Sequence, residues 1–163
     1  MDVGDFVSHP QTGAPMAASI NYKKPTWHVL DKAYQKDFER LAAFKPGRSF
    51  AINSTDLANQ NWIFGYMGDV HSTQYYLYNR KADSLCFLFS IRPELDAFTL
   101  APMYPHVIRS RDGLEMISYL TIPSWLDHNG RPLHPIPVVV FVHGGPGEFN
   151  HEAERFDKSE RRD

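Results

Sequence analysis

Cysteine is almost missing: Cys86 stands alone among 163 residues. That excludes an intrachain disulfide framework and a zinc site built from several cysteines. Net charge is also scarce, at −2 from nearly balanced acids and bases, so electrostatics favours neither a nucleic-acid nor an anionic-membrane partner. No stretch approaches the ~18 apolar residues of a membrane helix, and no basic region leads into an apolar run at the N-terminus. The chain is therefore expected to be soluble and cytoplasmic, although a Met1 internal to a longer protein would carry no signal either. A Gly-x-Ser-x-Gly nucleophile elbow is lacking too. Gly47-Arg48-Ser49-Phe50-Ala51 falls one residue short and precedes a strand, whereas an elbow follows one; Ser49 reads as a turn residue.

What is present is mostly strand-forming. Val3 to Ser8, a turn over His9-Pro10-Gln11-Thr12-Gly13, and Met16 to Tyr22 predict a hairpin. Thr26 to Leu30 predicts a further strand. Asp31 then caps a helix whose Tyr34, Phe38 and Leu41 share one face, ended by Lys45-Pro46-Gly47. Phe50 to Ser54, Trp62 to Tyr66, Gln74 to Asn79 and Leu85 to Phe89 predict four strands, each pairing with its predecessor, with the helix outside the ladder. Periodicity alone leaves open whether this is a propeller blade or another antiparallel sheet. The tyrosines Tyr75, Tyr76 and Tyr78 read as sheet packing before ligand stacking.

Ile91 to Asp96 breaks the pattern, and Ala101-Pro102-Met103-Tyr104-Pro105 reads as an extended connector because each proline restricts its predecessor. A domain boundary is placed there. His106 to Ser110 and Leu114 to Ile122 predict a hairpin turning on Arg111-Asp112-Gly113, with Asp-Gly supplying positive φ angles. A proline-rich loop follows, in which Asp127-His128-Asn129-Gly130 reads as a solvated turn. Pro137 to Val142 is the most apolar run, typical of a strand covered on both faces. It ends in His143-Gly144-Gly145-Pro146-Gly147, a turn of the kind that offers backbone N–H groups to an oxyanion at the carboxyl edge of a sheet. The glycine run lacks the Lys-Ser/Thr of a phosphate-binding loop, and His151-Glu152 is followed by Arg155 where a helical zinc motif needs histidine. No cofactor and no metal are expected. Residues 148–163 form a polar tail with two phenylalanines.

In their order, Asp2-Val3-Gly4-Asp5, Pro10 to Gly13, Asn21-Tyr22, Trp27 to Asp31, Tyr75 to Tyr78, Leu85 to Phe89, Arg92 to Leu95, Leu100 to Met103, Ser110 to Glu115, Tyr119 to Pro123 and His143 to Pro146 resemble the prolyl oligopeptidase family of serine peptidases. The likeness is to its dipeptidyl-aminopeptidase and acylaminoacyl-peptidase branch. The resemblance implies a mainly β fold with one or two helices: the C-terminal part of a β-propeller over residues 1–100, then the N-terminal part of an α/β-hydrolase domain over 101–147. It implies a parent that hydrolyses short peptides through a Ser-His-Asp triad. Of that machinery only the oxyanion-side loop, His143, Gly144 and Gly145, is matched; nucleophile, acid and base are not, so the chain alone is expected to be inactive. His143 takes a loop-shaping role, at a position where some relatives carry a tyrosine donor. Val138 to Val142 would be the third hydrolase strand, with its neighbours beyond Asp163, so self-association of the isolated chain is expected. A second reading is a non-catalytic β-sheet interaction module derived from the same family.

Overall fold

The computed structural model describes residues 2–142. The chain opens with a three-stranded antiparallel sheet, β1 (Asp2–Ser8), β2 (Pro15–Asn21) and β3 (Pro25–Val29), in that order. The β1–β2 turn closes through His9 N–H donating to Ala14 O (2.8 Å) and Gly13 N–H to His9 O (2.9 Å). After β3, Asp31 Oδ1 accepts from Ala33 N–H at 2.9 Å and caps a short 3-10 turn that leads into α1 (Gln35–Phe44). Tyr34, Phe38 and Leu41 lie on one buried stripe, as their spacing predicts.

A second antiparallel sheet follows: β4 (Ser49–Thr55), β5 (Asn61–Met67), β6 (Gln74–Asn79) and β7 (Ser84–Ser90). Its order is β4-β5-β6-β7, each strand beside its predecessor, with α1 outside the ladder. This meander is consistent with a propeller blade, and the chain is mainly β.

The two sheets bury their facing sides against each other and against α1. Because side chains alternate along a strand, Phe50, Trp62, Phe64, Tyr66, Tyr76 and Tyr78 share one face and meet Met16, Ala17, Phe38 and Leu41 in the core. Phe38 sits 5.2 Å from the Trp27 ring and 5.8 Å from that of Trp62. Trp27 Nε1–H donates to Phe50 O at 2.8 Å, which fixes β3 to β4. The opposite face, with Ile63, Leu77 and Tyr75 stacked on Phe89 at 5.0 Å, is partly open, and Cys86 and Phe89 are exposed there.

Past a short 3-10 turn at Pro93–Ala97 comes a two-stranded sheet, β8 (Met103–Arg109) and β9 (Glu115–Thr121). The supposed connector is thus partly strand: Met103, Tyr104 and Pro105 pair with Thr121, Leu120 and Tyr119. Pro105 is tolerated because both strands of a two-stranded sheet are edges, where a missing N–H can face outward. The turn also differs from a tight Asp-Gly hairpin. Only Gly113 takes a positive φ (86°), in a three-residue loop closed by Ser110 N–H to Leu114 O (2.9 Å). Tyr22 O–H donating to Glu115 Oε2 (3.1 Å) and Tyr119 O–H to Lys23 O (3.2 Å) tie this hairpin to the first sheet.

The strand expected over 137–142 is not formed. Val138 to Val142 are 73 to 91% exposed and pair with no strand among the described residues. An apolar run becomes a central strand only when neighbours complete its ladder and cover both faces.

Candidate functional site

His143, Gly144 and Gly145, the oxyanion-side residues anticipated from the sequence, lie outside the described residues, as does the 148–163 tail. What the structure places is the approach to them. From β9 the chain turns at Pro123 to Leu126 and forms a small hairpin in which Asn129 (φ 52°) and Gly130 (φ 81°) occupy the turn. His128 N–H donates to Arg131 O at 2.8 Å, the geometry that Asn-Gly favours.

Asp127 holds that hairpin. Its Oδ2 accepts from Tyr104 O–H at 2.7 Å and its Oδ1 from Gly130 N–H at 2.7 Å. The bond to Asp127 is the main cause raising the Tyr104 phenol above its ordinary pKa. A side chain on Gly130 would meet the Tyr104 ring at 3.1 Å. The His128 side chain is exposed and makes no hydrogen bond to Asp127, so the adjacent acid and histidine are a turn and not a catalytic pair. Ser49 begins β4 and has no general base beside it among the described contacts.

Two polar clusters lie at the sheet–helix interface, and local sequence signals pointed to neither. In the first, Arg80 Nη2–H donates to Asp37 Oδ2 at 2.8 Å, with side chains only 19% and 10% exposed. Arg80 Nη1–H donates to Asn59 O at 2.8 Å, and the guanidinium lies over the Tyr34 and Trp62 rings at 4.7 and 5.0 Å. Asn59 completes it by accepting from Trp62 Nε1–H (2.7 Å) and donating to Tyr34 Oη (3.1 Å). Tyr78 O–H donates to Asp37 Oδ1 at 3.1 Å, and burial first, then the Asp37 charge, pushes the Tyr78 phenol well up. Apart from Arg80 Nε, which is buried without a hydrogen-bond partner, the network's polar groups are paired, and together they fix α1 on β5 and β6.

The second cluster is at the other end of the sheet. Lys45 Nζ–H donates to Gln74 Oε1, and Arg48 Nη1–H approaches the same oxygen at 3.4 Å. Lys45 also lies over the Tyr76 ring at 5.0 Å. Beside α1, a shallow groove of about 270 Å³ is lined by Trp27, Phe38, Glu39, Arg48 and Phe50 among others. Among the described residues no group of three metal-ligating side chains converges.

No family model and no solved structure matches the chain. Two relatives do. Dipeptidyl aminopeptidase BIII of Pseudoxanthomonas mexicana is 40% identical over 147 residues, which is 89% of this chain and 21% of that protein. Dipeptidyl peptidase family member 6 of Caenorhabditis elegans is 29% identical over 165 residues, 91% of this chain and 22% of its own length. The chain thus spans about a fifth of the curated relatives it matches, and its similarity is to proteins named as dipeptidyl peptidases.

Proposed function

We propose that this chain is the joint of a serine-type dipeptidyl peptidase of the prolyl oligopeptidase family. Residues 1–100 supply late propeller strands and 101–147 the first strands of the hydrolase domain. The observation that carries the reading is 40% identity to a dipeptidyl aminopeptidase running through both parts, across 89% of the chain. The β4-to-β7 meander and the β8–β9 hairpin support it.

In this reading the parent cleaves short peptides. A serine attacks the scissile carbonyl, a histidine takes its proton, and an aspartate orients that histidine. The contribution of this chain is electrostatic: backbone N–H groups of the His143-Gly144-Gly145 loop donate to the oxyanion of the tetrahedral intermediate. Donors without a nucleophile form no acyl-enzyme, so the 163-residue chain alone is inactive.

A chimera tests this. Residues 1–147 replace the matched segment of the Pseudoxanthomonas mexicana enzyme, and dipeptidyl chromogenic substrates are assayed beside the isolated chain. The reading expects turnover by the chimera and none by the isolated chain. A chimera that folds but has lost turnover overturns it, as does turnover by the isolated chain that a serine-directed phosphonate abolishes.

A further inference from the structure

The cluster at Gln74 is over-supplied with donors. Gln74 Oε1 faces Lys45 Nζ, Arg48 Nη1 at 3.4 Å and the Tyr76 hydroxyl at 3.4 Å. A neutral amide oxygen has two lone pairs, so three donors, two of them cationic, exceed what it can accept. Among the described residues neither Lys45 nor Arg48 forms an ion pair, although both are half-buried, where an unpaired charge is costly. Across the ladder Gln74 stands opposite Tyr66 on β5 and Ser90 on β7. Ser90 Oγ is buried there with no hydrogen-bond partner. Asp69, whose charge is felt at the neighbouring His71, is engaged by Met103 N–H. Two cations, the Tyr76 hydroxyl and two aromatic rings therefore surround one planar group that carries no charge, and the unpartnered Ser90 hydroxyl stands on the neighbouring strand.

We propose that Lys45 and Arg48, with Gln74, Tyr76 and Ser90, form a binding site for a carboxylate group. A carboxylate matches the planar shape of the amide now between the cations and brings two oxygens with about four lone-pair sites. Lys45 supplies a point charge and Arg48 a fork suited to paired oxygens. Tyr66 and Tyr76 wall the site with flat apolar surface, which strengthens the ionic contacts by excluding water. The proposal does not depend on the peptidase reading, because no turnover enters it.

Titration of the 163-residue chain with an N-acetylated dipeptide bearing a free carboxylate, its carboxamide, acetate and inorganic phosphate tests the site, read from the Gln74 side-chain amide resonances. Saturable shifts are expected with the free-carboxylate peptide and not with its carboxamide. Acetate binding as well as the peptide identifies a small carboxylate as ligand; weaker acetate binding identifies a peptide terminus. Lys45→Met or Arg48→Met should weaken binding about tenfold, the loss of one charge-assisted hydrogen bond. Gln74→Glu should fill the site from within, raising the melting temperature and abolishing carboxylate binding. Equal binding of the carboxamide, tighter binding of phosphate, no response to any carboxylate, or a melting temperature unchanged or lowered by Gln74→Glu would each overturn the proposal.

Discussion

Residues 2–90 and residues 103–142 have similar strand-forming composition and opposite fates. In the first region two sheets and a helix bury Trp62, Phe64 and Tyr66 completely, whereas in the second Val139 is 91% exposed. The difference is not hydrophobicity, since Val138 to Val142 is the most apolar run in the chain. It is the presence of a second layer. An apolar strand is stabilised by neighbours that take its backbone bonds and cover its faces; the first region supplies both, while in the second β8 and β9 pair only with each other and Val138 to Val142 have neither.

The largest effect should come from breaking the core that makes this difference. Trp62→Ala removes a side chain in contact with Phe38 and Tyr78 and orphans Asn59 Oδ1. It should cost about 3–5 kcal/mol, read as a fall in the urea midpoint. Val140→Lys should change stability by less than about 0.5 kcal/mol while reducing self-association in sedimentation velocity. Equal effects of the two on stability would erase the contrast between the regions.

Next in size is the Asp37–Arg80 pair, which joins the helix to the second sheet across 43 residues of sequence. Arg80→Met leaves Asp37 with only the Tyr78 hydroxyl and should cost about 3 kcal/mol, because a mostly buried carboxylate loses its counter-charge. The double variant with Asp37→Asn should recover part of that loss. A thermodynamic cycle with no coupling would show that the pair does not hold the layers together.

These two clusters mark the limit of what the residues reveal in order. The strands β1 to β7 and helix α1 were legible because alternation, turn residues and the Asp31 cap act over a few positions. Asp37–Arg80 and Lys45–Gln74 were not, because each depends on the packing of distant elements, and a lone Asp, Arg or Gln has no local signature. Prolines 102 and 105 suggested a connector where β8 already begins, since proline excludes a central strand but not an edge. The 137–142 run is a different case: its composition reads as a strand that needs neighbours on both sides, and among the described residues it has none, in keeping with the expectation that it is poorly anchored in this chain. Of the candidate site, only the strand-to-glycine pattern was readable, and His143, Gly144 and Gly145 lie beyond the described residues.

A smaller effect should follow from Asp31→Ala, which frees the Ala33 N–H and should cost about 1 kcal/mol. Thermal melting would show it, and Asp31→Ser, which keeps an acceptor, should recover most of the loss. Failure of the serine to do so would mean that the turn into α1 is held by packing of Tyr34 instead.

The smallest effect separates the regions by pH. His71 lies in the β5–β6 loop of the packed region, its Nδ1–H donating to Ser72 O at 2.8 Å and its Nε2 buried without a partner. Burial is the main cause lowering its pKa, and the charges of Arg48 and Lys45 add to it; the Ser72 bond and Asp69 oppose them. The folded imidazole therefore stays neutral where the unfolded one, with a pKa near 6.5, takes up a proton. Well above about pH 6.5 both states are neutral and the contribution of His71 to stability is constant. As pH falls from there through the folded pKa, the unfolded state binds more protons and stability declines, levelling off below the folded value. His71→Gln should remove this decline and leave the carboxylate-driven loss at lower pH. The β8–β9 hairpin has no buried histidine, so its amide exchange should not follow the same titration. An imidazole that titrates at or above 6.5 in the folded chain would mean that His71 is solvated and that the packed region does not extend to this loop.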